Sequence, residues 1–159
     1  MNPVLRWTSL LLLCLLVVGC SSGPVRRVSE PAASIQQLTV NADGSWSVDL
    51  RLQNYSSIPM RFDAVSFALS VEGQPAGTLA GTAGISIGPE SADVITLAFA
   101  PSTDARIAMA NALADRRGVA YVFEGSIDTV PEDKGSRRFD KIKRSSALSP
   151  VPGLPGVLR

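Results

Sequence analysis

Residues 47–73, SVDLRLQNYSSIPMRFDAVSFALSVEG, carry the clearest structural pattern in this chain. On both sides of residues 54–57, apolar side chains occupy every second position, which is the period of a half-buried β-strand. The residues between the two runs, Asn-Tyr-Ser-Ser, are typical of a turn. We therefore predict two strands joined as a hairpin, which is too small to be stable until other strands cover its apolar face.

The second apolar run changes phase near its middle. Its apolar positions are even-numbered as far as Phe62 and odd-numbered from Val65 onward. A slip of one residue would turn every later side chain to the opposite face of the sheet. We therefore predict a β-bulge or a strand break at Asp63-Ala64.

Further strand segments on both sides of this stretch predict a mainly β fold. Turn signals separate them, among them Asp43-Gly44 and residues 72–75. Short antiparallel strands that recur in this way favour a β-sandwich. The predicted additional strands are residues 35–40, 76–83, 85–87, 91–100, 119–124 and 136–146.

One α-helix is predicted, over about residues 103–117, before the last strands. Hydroxyl side chains at residues 102 and 103 can cap its first turn, and Asp104 suits the positive end of the helix dipole. Gly118 is the expected stop, because glycine readily adopts the left-handed conformation that ends many helices.

The first twenty residues, MNPVLRWTSLLLLCLLVVGC, have the layout of a secretory leader. The unbroken apolar run of residues 10–18 is too short to span a bilayer, which takes about 20 residues. The sequence LVVGC at residues 16–20 resembles the lipobox of bacterial lipoproteins. The resemblance implies cleavage after Gly19 and acylation of Cys20. The alternative is a plain secretory leader, with Cys20 as an ordinary residue of the mature chain.

The sequence divides into a signal peptide at 1–19, a flexible linker at 20–32, a folded domain at 33–146 and a Pro/Gly-rich tail at 147–159. The linker is rich in serine, proline and charge, as expected for a tether. The tail is predicted to have no regular structure. Ser21 after the lipobox cysteine is similar to the outer-membrane sorting pattern, so we expect a lipid-anchored protein on the periplasmic face of the outer membrane.

The residue inventory excludes several kinds of chemistry. The chain has no histidine, which rules out Ser-His-Asp and Cys-His catalysis and any metal site that needs an imidazole. Cleavage after Gly19 leaves one cysteine and therefore no intramolecular disulfide. The aspartates at 43, 49, 63 and 93 have no spacing that argues for acid–base work. We expect no enzyme activity and no cofactor, and the net charge of +1 gives no sign of nucleic-acid binding.

The end of the chain is basic. Residues 132–159 carry seven basic and three acidic side chains, and most of the basic ones lie at 134–144. Such a strand could face anionic lipid or another envelope polymer. It could equally be a charged edge strand that prevents sheets from aggregating.

Six short runs together resemble a known family: VDLRLQN (48–54), IPM (58–60), FALSVEG (67–73), ISIGP (85–89), VITLAF (94–99) and YVFEG (121–125). They are similar to the late embryogenesis abundant group 2 family, or WHy (water stress and hypersensitive response) domain, over most of residues 33–146. The resemblance implies an immunoglobulin- or fibronectin-type-III-like antiparallel sandwich with one helix. It also implies a role in desiccation or stress, and it carries over no catalytic residue.

The sequence is also compatible with two other functions. The domain could bind or shuttle a lipid or another apolar ligand in a groove lined by Phe62, Phe67, Leu97 and Phe99, although the same side chains could simply fill the core. It could also be an accessory subunit or chaperone of an envelope complex with a protein partner. Asn54 could contact a ligand, but capping its own turn is the ordinary role of such a residue.

Overall fold

The alternating apolar side chains build two antiparallel sheets that pack face to face around one core. The computed structural model describes Gly23 and residues 26–159. Cys20 and the predicted signal peptide lie outside the described residues. No helix in the described part of the chain has the length and apolar character needed to cross a membrane.

Each sheet has four strands. The first has the order β5-β2-β1-β8 and the second the order β4-β3-β6-β7, with the bounds given below. The single described helix, α1, lies between β5 and β6, so the predicted mainly β sandwich with one helix before the last strands is confirmed. The elements are β1 (Ala32–Val40), β2 (Trp46–Gln53), β3 (Met60–Val71), β4 (Gln74–Ile87), β5 (Ala92–Phe99), α1 (Thr103–Ala114), β6 (Val119–Pro131), β7 (Arg137–Leu148) and β8 (Val157–Leu158).

The core takes its side chains from the inward positions of both sheets. On β2 the apolar residues Val48, Leu50 and Leu52 are fully buried, whereas Arg51 between them is exposed. From the second sheet, the rings of Phe67 and Phe123 pack with their centroids 4.6 Å apart. The period of two therefore separates core from solvent as expected.

The predicted hairpin of β2 and β3 is wrong, because these strands belong to different sheets. β2 pairs with β1 and β5, and β3 pairs with β4 and β6. Residues 54–57 carry the chain from one sheet to the other, which sets the two apolar faces against each other. Alternation predicts which side chains face a core, but it does not identify the strand that supplies the hydrogen bonds.

The predicted bulge in β3 is confirmed. The pairing of β3 shifts register between Phe62 and Ala64 against both β4 and β6. The shift lets Phe62 and Val65, which have different parity in the sequence, both point into the core. On the neighbouring edge, the two predicted strands at 76–83 and 85–87 are one continuous strand, β4.

The helix is three residues shorter than predicted. It ends at Ala114, and Arg116, rather than Gly118, adopts the left-handed conformation with φ of +54°. The backbone N–H of Arg116 donates to Leu113 (3.1 Å), and that of Arg117 donates to Ala112 (3.0 Å). These two bonds satisfy the last helical carbonyls in a Schellman arrangement, which compensates for the strain of a non-glycine residue there.

Ser102 begins the helix and ties it to the start of β4. Its Oγ accepts a hydrogen bond from the Ala105 N–H (3.2 Å) and donates one to the Pro75 carbonyl (2.7 Å). We expect Ser102→Ala to lower the free energy of unfolding by about 1–2 kcal/mol, since both bonds are lost. Urea unfolding would measure this, with the exposed neighbour Thr103→Ala as the control. An equal loss in both variants would contradict the capping role.

The prediction of an irregular tail at 147–159 is wrong at both ends. Ala147 and Leu148 belong to β7, and Val157 and Leu158 form β8, which pairs with Leu38 and Thr39 of β1. Pro150 is paired with Leu158 in an isolated bridge, and the N–H groups of its neighbours Ser149 and Val151 donate to Arg159 and Val157. Gly156 precedes β8 with φ of +77°, and its carbonyl accepts from the Val40 N–H at 2.8 Å.

Candidate functional site

The segment that precedes β1 holds together the loops at one end of the sandwich. The Arg27 N–H donates to Ser57 Oγ (2.8 Å), and the Ser57 N–H donates to the Arg27 carbonyl (3.0 Å). The Ser29 N–H donates to the buried Ser56 hydroxyl at 2.9 Å. The predicted flexible linker at 20–32 therefore includes residues from Arg26 onward that are bound to the domain.

The two arginines of this segment also contact carboxylates. Arg26 lies 2.9 Å from Asp133 and 3.3 Å from Glu132, in the loop between β6 and β7. Arg27 lies 3.7 Å from Glu90, between β4 and β5. Each exposed pair contributes little stability by itself, but together they orient the segment across three loops at one end of the sandwich.

Asn54 is the centre of this end. Its side chain is fully buried, and its Nδ2 donates toward the carbonyls of Ile58 (2.9 Å), Ile87 (3.1 Å) and Gly88 (2.9 Å). Its Oδ1 accepts from the Ser56 N–H at 2.8 Å. The turn-capping role expected from the sequence is thus confirmed, and it extends to β4 of the opposite sheet. Ser56 was not predicted, although its position two residues after an asparagine suits such a turn.

Glu72 caps the start of β6 at the far end of β3. It has φ of +51° in the turn between β3 and β4, and its carboxylate accepts a hydrogen bond from the Ala120 N–H at 2.6 Å. The Arg117 guanidinium is its second partner. The hydrogen bond from the Ala120 N–H is the largest cause that lowers the pKa of Glu72 below its ordinary value of 4.5, and the hydrogen bond from Arg117 is the second. Sequence reasoning missed this residue because its partners lie far along the chain.

The lowered pKa of Glu72 predicts that its contribution to stability depends on pH. The ionised carboxylate contributes stability that is complete above the unfolded pKa and is lost as pH falls through the lower, folded pKa. We expect Glu72→Gln to destabilise the domain by about 1 kcal/mol at pH 7, with the difference shrinking as pH falls below 4.5 and disappearing below the lower, folded pKa. Urea unfolding at a series of pH values measures it. Glu124→Gln, which alters an exposed pair with Lys143 at 3.6 Å, is the control and should show little change at any pH.

The four aspartates considered for acid–base chemistry are not brought together. Asp43 accepts from Ser45, and Asp49 accepts from Thr96 at 2.7 Å. Asp63 pairs with Arg61, and Asp93 accepts from the backbone of Val94. Each has a local structural partner, and the described residues include no cluster of carboxylate, cysteine or histidine side chains that could hold a metal.

The side chains required for an apolar groove all lie in the packed core. Phe62 and Phe67 are fully buried, and Leu97 and Phe99 are buried on β5. The ring of Phe99 also packs on Trp46, with centroids 5.9 Å apart. These residues therefore contact one another and their neighbours rather than lining an open channel between the sheets.

The basic segment is an edge strand, as one of its two interpretations predicted. β7 pairs only with β6 and forms one edge of the second sheet. Arg138 contacts Asp128 (3.3 Å) and Asp140 (2.9 Å). The Arg137 guanidinium lies 4.8 Å from the centre of the Phe139 ring. Part of the positive charge is therefore compensated within the domain, and charges on an exposed edge oppose pairing with another sheet.

Comparison with solved structures gives remote similarities. A protein from Archaeoglobus fulgidus is similar with a TM-score of 0.41 and 13% sequence identity, over 79% of this chain and 98% of that one. A protein from Arabidopsis thaliana, determined in solution, is similar with a TM-score of 0.48 and 10% identity, over 82% of this chain and 86% of that one. No curated protein matches the chain. Similarities this low say nothing of function.

Comparison with protein families gives a match over more than half of the chain. Residues 49–143 match the family described as Late embryogenesis abundant protein. The matched region begins in β2, includes the Asn54 turn and the bulged β3, and ends in β7. The chain belongs to the late embryogenesis abundant protein family.

Proposed function

We propose that this protein is a non-enzymatic lipoprotein that displays a WHy-type late embryogenesis abundant domain in the periplasm. In this proposal, acylated Cys20 anchors it to the outer membrane, and the domain protects the envelope during drying or related stress. The family match at residues 49–143, together with the LVVGC sequence before and at Cys20, is the observation that carries the proposal. Acyl chains contribute about 0.8 kcal/mol per buried methylene, enough for a durable anchor when several are present.

The position of the bound N-terminal segment supports a defined orientation. Arg26, the first residue of that segment, is six residues after Cys20, so at most about 20 Å of chain separates them. An anchor at Cys20 would therefore keep the end of the sandwich that contains Asn54 close to the membrane surface. The helix and the tail would lie toward the other end.

Metabolic labelling tests the anchor. In a Gram-negative host grown with labelled palmitate, the wild-type chain should carry label and sediment with the outer membrane. Cys20→Ser should lose the label, because the thiol that receives the diacylglycerol is gone. Cys14→Ser is the matched control and should keep the label, since residue 14 is removed with the leader. An unlabelled wild-type chain, or equal label in Cys20→Ser, contradicts the lipid anchor.

A second experiment tests protection separately from anchoring. A strain that lacks the protein should survive drying less well than its parent, and the wild-type gene should restore survival. Complementation with Cys20→Ser shows whether protection needs the membrane location. Equal survival of the parent and the deletion strain contradicts the stress role while leaving the lipoprotein assignment intact.

A further inference from the structure

A small polar pocket lies at the surface of the first sheet, outside the contacts described above. Its volume is about 240 Å³. Pockets for organic ligands typically occupy about 300–1,000 Å³, so this one suits an ion or a small head group and not a lipid tail. The polar side chains that line it are Ser34, Arg51, Gln53, Tyr55 and Arg144.

The register of β1 and β2 places most of these side chains together. Ser34 is the cross-strand partner of Arg51, and Ala32 is the partner of Gln53. Directly opposed side chains in a sheet lie on the same face, here the face away from the core. Arg51 Nη2 donates to Gln53 Oε1 at 2.9 Å, so two of the lining side chains are bonded to each other.

Arg144 reaches the pocket from the other sheet and breaks the pattern of its own strand. It lies opposite the fully buried Phe123 in the register of β6 and β7, in an inward position where alternation favours an apolar residue. β8 covers β1 only at Leu38 and Thr39, so the first half of β1 is an open edge beside β7. Arg144 can therefore extend past this edge and join Ala32 and Ser34.

The pocket has positive charge without a compensating group. No carboxylate is among its lining residues. Within the described chain the side chain of Arg144 has no hydrogen-bonding or ion-pair partner, whereas the side chains of Lys143 and Arg138 pair with Glu124 and Asp128. An inward charge on an edge strand also discourages aggregation. Protection against aggregation would explain Arg144 alone. It does not explain why a second arginine, Arg51, lines the same pocket.

We propose that this pocket binds a phosphate group. Guanidinium groups present N–H donors in a planar fork that matches phosphate oxygens, and such charge-assisted hydrogen bonds are stronger than neutral ones. Arg51 and Arg144 would approach the phosphate from the two sheets, with the Ser34 hydroxyl available as a neutral donor. The phosphate could belong to free inorganic phosphate or to a phospholipid head group, since the recognising chemistry is the same.

Titration followed by nuclear magnetic resonance tests the site on the full ¹⁵N-labelled chain in neutral detergent. One arm uses inorganic phosphate, and the other uses glycerophosphoglycerol, the deacylated head group of phosphatidylglycerol. Saturable shifts should appear at the amides of Ser34 and Arg51, with a Kd of about 1 mM. Arg51→Gln and Arg144→Gln should each weaken binding about tenfold, because each removes one charged fork. Lys141→Gln, on the same strand and with the same loss of charge, should bind as the wild type does.

The two arms identify the source of the phosphate. Equal affinity indicates a site for the phosphate alone, and tighter binding of the diester indicates a head-group site. The absence of saturable shifts at 34 and 51 with both probes overturns the proposal. It is also overturned if Lys141→Gln weakens binding as much as the two arginine variants do, since the effect would then be one of net charge. Unchanged thermal midpoints would show that the variants are folded.

Discussion

Gly125→Ala is expected to abolish the native fold or to lower the free energy of unfolding by about 4 kcal/mol or more. Gly125 lies in the middle of β6, opposite Phe67 of β3. A Cβ added there would lie 1.9 Å from the Ser66 carbonyl oxygen and 2.7 Å from the Phe67 Cα. Both are backbone atoms of a paired strand, so neither can move aside without breaking the pairing of β3 and β6.

Circular dichroism and urea unfolding, followed by the fluorescence of the buried Trp46, would measure this loss. Gly135→Ala is the matched control, because the same methyl group added in the loop between β6 and β7 meets no atom within 4 Å. That variant should keep the wild-type stability or gain slightly, since alanine restricts the unfolded chain. If Gly125→Ala also kept its stability, the close approach of β6 to β3 would be refuted.

Asn54→Ala should lower the free energy of unfolding by about 4 kcal/mol. The change leaves the Ser56 N–H and the carbonyls of Ile58, Ile87 and Gly88 without their side-chain partner in a buried place. Water cannot replace the amide fully without opening the end of the sandwich, and unpaired buried groups are costly. Urea unfolding of the variant and the wild type measures the difference.

The variant Asn54→Asp tests the hydrogen bonds of the side chain while keeping its shape nearly unchanged. Aspartate has nearly the same size and can still accept from the Ser56 N–H, but at neutral pH it has no donor for the three carbonyls. We expect a loss at pH 7 at least as large as that of Asn54→Ala, and partial recovery in acid, where the protonated carboxyl can donate one bond. Asn41→Ala is the control, since Asn41 is exposed and contacts only nearby residues of its turn. Equal losses at positions 41 and 54 would refute the special role of Asn54.

The sequence predicts burial better than it predicts partners. The alternation of β2 and the phase change at Asp63-Ala64 follow from side-chain polarity along one strand, and both predictions are confirmed. The partner of β2 depends on hydrogen bonds to residues far along the chain, and the predicted hairpin was wrong for that reason. The same limit applies to β8, because its partners Leu38 and Thr39 lie far earlier in the chain.

The sequence likewise predicted the locally determined part of the candidate site but not its long-range contacts. Asn54 was recognised as a turn residue from its immediate neighbours, but its bond to Ile87 depends on the tertiary fold. Arg144 is a charged residue in an inward position of β7. The sequence does not reveal that the position is inward, because this follows from its register with Phe123 of β6. Glu72 has no local signal, because its partners Ala120 and Arg117 follow the helix.

The pairing of β3 with β6 sets how fast the domain can reach its native state. It joins segments such as Phe67 and Gly125, about sixty residues apart in sequence, and the loop between them must close before any of its hydrogen bonds can form. Sandwiches dominated by such distant pairs fold in milliseconds to seconds rather than microseconds. A newly synthesised chain would therefore expose its apolar strands to proteases and chaperones during this interval, and a slow-folding variant would be lost to degradation before its equilibrium stability mattered.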